Sequence, residues 1–135
     1  TSSARNTFRW KDPRGWAEFK RQFAEGSAIG HAMTMRGVQG ARVPFFERTA
    51  ELAKISEPML VVIGDEDEST HGLAVHLKKV VPRSGVLEMP KCGHTMNLEE
   101  PAFFNTAVQD FLHAVENDRW PAREMASYTL IPPSR

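Results

Sequence analysis

The sequence predicts an α/β protein, with parallel strands and flanking helices behind an N-terminal helical segment. Three observations carry this. Pro58-Met-Leu-Val-Val-Ile63 is a short continuous apolar run closed by Gly64, the pattern of a fully buried parallel strand. Leu73, Leu77 and Val80 then recur at helical spacing up to Pro82. Gly85-Val-Leu-Glu-Met-Pro90 reads as a second strand, so that strand, helix, strand and helix follow in order and imply a parallel pair with a right-handed crossover.

Asp12-Pro13 has the chemistry of a helix start, with Pro at the first helical position; Trp16, Phe19 and Phe23 follow at helical spacing, and Gly26 ends the segment. A second helix is expected over Ala28 to Met35, before Gly37 and Gly40. Pro44 opens a third, with Phe45, Phe46, Ala50 and Ala53 facing inward. The aromatic and Met side chains of these helices suit core packing, or a lid whose apolar face lines a pocket. Glu100-Pro101 starts a last helix with Phe104, Ala107, Val108, Phe111, Leu112 and Val115 on one stripe. The expected organisation is a helical lid or cap over residues 1–56, a βαβα part of a core over 57–120, and an irregular tail over 121–135.

Composition narrows the function. The 135 residues suffice for one domain with a core. Seventeen basic and 17 acidic side chains cancel, so no net field draws the chain to nucleic acid or an acidic membrane. Lys78-Lys79 reads as a solvated helix face. No apolar stretch approaches the roughly 18 residues that span a bilayer. Cys92 is the one cysteine, which excludes an intrachain disulfide and fits a reducing, cytoplasmic setting. Thr1-Ser2-Ser3-Ala4-Arg5-Asn6 has neither initiator Met nor hydrophobic signal core and reads as a cut or processed start.

Parallel α/β sheets gather function at the carboxyl ends of their strands. Two loops lie there. Gly64-Asp65-Glu66-Asp67-Glu68 follows the first strand; alone it would be a solvated acidic turn, and it lacks the spaced ligands and central glycine of an EF-hand. Lys91-Cys92-Gly93-His94 follows the second, with Gly93 freeing the backbone for a sharp turn. Parallel strands lie about 4.8 Å apart as neighbours, or roughly double that with a strand between them, and side chains from the two loops can meet at either spacing. A carboxylate reaching the imidazole would fix its tautomer and stabilise its cation. His71 and His76, five apart on a helix, point to different faces and make poor joint metal ligands, while His31 and His113 read as surface or packing residues.

The run Pro58 to Asp67, then a helix and a strand, then Gly93-His94-Thr-Met-Asn-Leu-Glu-Glu-Pro101 and an aromatic-rich helix resembles the end of an α/β-hydrolase. In that family the chain order is nucleophile, acid, His. The resemblance implies that Asp67, three residues after Gly64, is the triad acid, with Asp65 the weaker choice, and that His94 is the base. Met35 to Ile55 resembles the end of the helical lid. The implied parent is a cofactor-independent serine hydrolase with no metal, acting on a small-molecule ester or similar acyl substrate.

The family's Gly-x-Ser-x-Gly elbow is absent from this sequence. Gly26-Ser27-Ala28-Ile29-Gly30 is a near miss, because its first glycine adjoins the serine and no apolar strand precedes it. Cys92 is two residues from His94 but would attack from the wrong side of the imidazole. The chain alone is therefore expected to be inactive. It is expected either to complete an N-terminal hydrolase fragment or to survive as a self-associating, non-catalytic homo-oligomer, and in both cases Met59–Ile63 is expected to pair with another chain.

Overall fold

A computed structural model of the chain describes residues 3–124. A 3-10 turn (Ser3–Arg5) leads into α1 (Asn6–Lys11) and α2 (Pro13–Glu25). Then come α3 (Ala28–Thr34), a π-helical turn (Met35–Gln39), a 3-10 turn (Phe45–Arg48) and α4 (Thr49–Leu52). The second half is β1 (Met59–Gly64), α5 (Glu68–Val80), β2 (Ser84–Met89), α6 (Met96–Glu99) and α7 (Pro101–Glu116).

The two strands pair in parallel, in a register that sets Met59 opposite Ser84 and Gly64 opposite Met89. Met59 N–H bonds Arg83 O at 3.0 Å and Asp65 N–H bonds Met89 O at 3.1 Å. Backbone groups alternate along a strand, so Met59, Val61 and Ile63 turn toward β2 while Leu60 and Val62 present theirs to the opposite edge. Residues of β1 before Ile63 are only partly covered, so the expected full burial of this strand holds at its carboxyl end alone. Behind the sheet, Ala74, Val81, Met89 and Cys92 are buried. Trp120 closes the far end: its Nε1–H donates to Arg83 O at 2.7 Å, its ring meets Phe111 edge-on at 4.9 Å, and it leaves no room for a side chain at Gly85.

The amino-terminal helices obey their local chemistry. Asp12 caps α2 by accepting Gly15 N–H at 2.9 Å, with Pro13 at the first helical position. Phe8, Trp16 and Phe19 form an aromatic cluster with ring centroids 5.7–6.0 Å apart. Ser27 caps α3 by accepting Gly30 N–H at 3.1 Å, so the serine of the near-miss motif serves a helix start.

Several expectations are corrected. Helix α1 went unseen because Phe8 is its one buried side chain. The helix from Ala28 does not stop at Met35 but continues as a π turn through Gly37 to Gln39. After Pro44 the chain begins as a 3-10 turn; its three-residue period shifts the helical phase of α4, so Leu52 is buried and Phe45, Phe46, Ala50 and Ala53 are exposed. Lys78 is not merely solvated, since its Nζ donates to Ser84 O at 2.6 Å. Residues 121–124 are irregular, and 125–135 of the expected tail lie outside the described residues, as do Thr1 and Ser2 of the amino-terminal reading.

Candidate active site

The parallel register sends the loops after β1 and β2 off the same sheet edge, and backbone contact locks them together. Glu66 N–H donates to Cys92 O at 2.9 Å, and Cys92 N–H donates to the Asp65 carboxylate at 3.1 Å. Glycine makes this approach feasible. A Cβ at Gly64 would sit 2.3 Å from Cys92 O and 2.4 Å from Gly93 O, and one at Gly93 would sit 2.0 Å from Ala4 O. Gly93 thus serves close approach rather than the sharp turn expected of it; the left-handed residue is Lys91, at φ 54°.

Asp65 is used up in this stitching. Lys91 N–H does most to hold its carboxyl below the usual range, against desolvation, with the N–H groups of Cys92, Asp65 and Glu66 adding to the effect. Asp67 is the acid that turns inward. It is 3% exposed, its Oδ2 lies 2.6 Å from His94 Nδ1, and its Oδ1 accepts the Ser69 hydroxyl at 2.8 Å. Its backbone forms the turn into α5, where Asp67 N–H bonds Gly64 O and Thr70 N–H bonds Asp67 O, each at 3.0 Å.

Burial pushes the Asp67 carboxyl up, but hydrogen bonds from His94 and Ser69, with the positive charges of His94 and Arg5, outweigh it and hold the group below its usual value of 3.8. The folded value is depressed, so this stabilisation is complete above the unfolded value and is lost as pH falls through the folded one. Below about pH 4 the melting temperature of the unaltered chain is expected to fall more steeply than that of Asp67→Asn. Parallel acid limbs in thermal melts would contradict this.

His94 is held by its backbone, its N–H donating to Ala4 O at 2.6 Å, while its side chain is half-exposed. Nδ1 is committed to Asp67, and among the described residues nothing bonds Nε2. A ring so held can accept a proton at Nε2 while the carboxylate stabilises the resulting cation. A groove of about 650 Å³ lies beside Asp67, lined by Asn6, Thr7 and Trp10 on one wall and Glu66 to Ser69 on the other.

The other nucleophile and ligand candidates sit elsewhere. Cys92 is fully buried; burial pushes its thiol up against the opposing pull of Lys11, whose Nζ lies 3.6 Å from Sγ. Ser69 donates to Asp67, not to His94. His71 pairs with Glu88 at 2.6 Å, His76 meets Thr49 Oγ1 at 3.2 Å, and His31 stacks on Phe23. Among the described residues no three His, Cys, Asp or Glu side chains gather as a metal site. Sequence reasoning missed Ala4, Ser69 and Glu99. Ser69, two residues after Asp67, had a local signal; Ala4 contributes only a carbonyl and had none.

The topology and loops define a class: the chain carries part of an α/β-hydrolase fold. The MenH structure from S. aureus superposes with a TM-score of 0.50 at 27% identity, over 52% of this chain and 26% of that one. A candidate 2-succinyl-6-hydroxy-2,4-cyclohexadiene-1-carboxylate synthase of Bacillus subtilis (strain 168) is 31% identical over 88 residues, 64% of this chain and 31% of that protein. The candidate protein-lysine deacylase ABHD14B of Rattus norvegicus is 36% identical over 63 residues, 47% of this chain and 30% of that protein. The chain thus spans about a third of the length of the curated relatives it matches. No family model matches it.

Proposed function

We propose that the chain is the C-terminal part of a cofactor-independent serine hydrolase acting on an ester or similar acyl bond, and that it is inactive alone. The observation that carries this is the 2.6 Å contact between the buried Asp67 carboxylate and Nδ1 of a half-exposed His94. In the complete enzyme His94 Nε2 takes the proton of a serine supplied by a Gly-x-Ser-x-Gly segment and returns it to the leaving group. Asp67 fixes the tautomer and stabilises the imidazolium. The outward edge of β1, with the backbone groups of Leu60 and Val62, is where the segment bearing the serine adds its strand. The helices before β1 cover the acyl group, and a cytoplasmic setting accords with the single cysteine.

A second reading rests on the exposed apolar side chains of the cap, Ile29, Met33, Val38 and Phe46 among them: a self-associating scaffold without catalysis. Among the described residues no helix is long and apolar enough to cross a membrane. Native mass spectrometry and fluorophosphonate labelling separate the two readings. The hydrolase reading expects no labelling of the chain alone, and labelling of a serine on the segment that assembles with it. A uniform homo-oligomer that stays unlabelled in every assembly would overturn it in favour of the scaffold.

A further inference from the structure

We propose that Glu99 is a positioning residue that clamps the residues on both sides of His94, Gly93 by its N–H and Thr95 by its hydroxyl, and so sets the direction of the imidazole toward Asp67. The inference rests on the reading of Asp67 and His94 as the acid and base of the hydrolase. Glu99 ends α6 and is 6% exposed. Its two carboxylate oxygens accept Gly93 N–H at 3.2 and 3.0 Å, and Oε1 also accepts the Thr95 hydroxyl at 3.0 Å. No cation pairs with it among the described residues, so its buried oxygens are satisfied by these donors alone.

The three residues at the turn are therefore each held by a hydrogen bond. Gly93 and Thr95 are tied to Glu99, and His94 between them is tied to Ala4 O. The His94 ring is half-exposed, so apart from its bond to Asp67 its direction depends on the backbone that carries it. An apolar side chain at position 99 would leave the buried Gly93 N–H without an acceptor, and the turn would move to find one.

The test uses the 135-residue chain and the far-downfield Nδ1–H proton signal of His94, recorded at low temperature and assigned by its loss in His94→Ala. Glu99→Leu, which keeps the bulk but no acceptor, is expected to abolish the signal while far-UV circular dichroism stays unchanged. Glu99→Gln keeps an acceptor oxygen and is expected to retain it. Thr95→Val removes one donor and leaves Glu99 in place, and is expected to speed exchange of this proton roughly fivefold. A folded Glu99→Leu chain with an unaltered signal overturns the proposal; if that variant does not fold, unchanged exchange in Thr95→Val overturns it instead. Absence of the signal from the unaltered chain would mean that the Asp67–His94 pair itself is not formed, and both readings fall together.

Discussion

If the proposed hydrolase assembles, Asp67→Asn is expected to lower its kcat by about 10⁴-fold with little change in KM. The substitution keeps the shape of the side chain and its bond to Ser69, but an amide facing Nδ1 favours the wrong imidazole tautomer and offers no charge to the imidazolium. His94→Ala removes the base outright and is expected to cost roughly 10⁶-fold in kcat, leaving what binding and the oxyanion site contribute. Asp65→Asn serves as the contrast. Asp65 accepts from Cys92 N–H and does not touch His94, so its loss is expected to cost stability rather than to halt turnover. Steady-state kinetics on the assembled protein decide the matter. Full activity in either Asp67→Asn or His94→Ala would end the role assignment.

Gly64→Ala is expected to destabilise the fold by about 3 kcal/mol, at the upper end of what overpacking does. Its new methyl would lie 2.3 Å from Cys92 O and 2.4 Å from Gly93 O, and both obstacles are backbone that cannot swing aside as a side-chain tip can. The loop bearing His94 must retreat, so the same change is expected to weaken the Asp67–His94 contact. Gly72→Ala provides the opposite sign within one chain. Gly72 lies inside α5, and its nearest obstacle is Phe46 Cζ at 3.9 Å, so the added methyl is expected to stabilise by roughly 0.5–1 kcal/mol through helix propensity. Urea midpoints for the two variants test the pair. A Gly64→Ala midpoint equal to the unaltered one would show that the loops are not in contact.

Residue spacing alone was enough to locate both strands, α2, α5 and α7, because each is a local pattern: a short apolar run, or an apolar stripe repeating at the pitch of a helix. The same reading put the acidic turn and His94 after two parallel strands at one sheet edge, while the choice of Asp67 within that turn came from the family resemblance. It failed where local pattern is ambiguous. Phe45 and Phe46 carry the apolar character of a core, but a 3-10 start rotated them outward and gave the buried position to Leu52.

What the sequence determined by itself is the order of elements and the presence of an acid and an imidazole after successive strands, because backbone propensity and apolar periodicity act over a few residues. Only the tertiary structure decided which acid meets the ring, why Gly64 and Gly93 are glycines, and that Ala4 O and Glu99 hold the turn. Ala4 and His94 are 90 positions apart, and a carbonyl carries no side-chain signature. Such contacts arise when sheet register and helix docking bring distant backbone together, and no periodicity along the chain encodes that meeting.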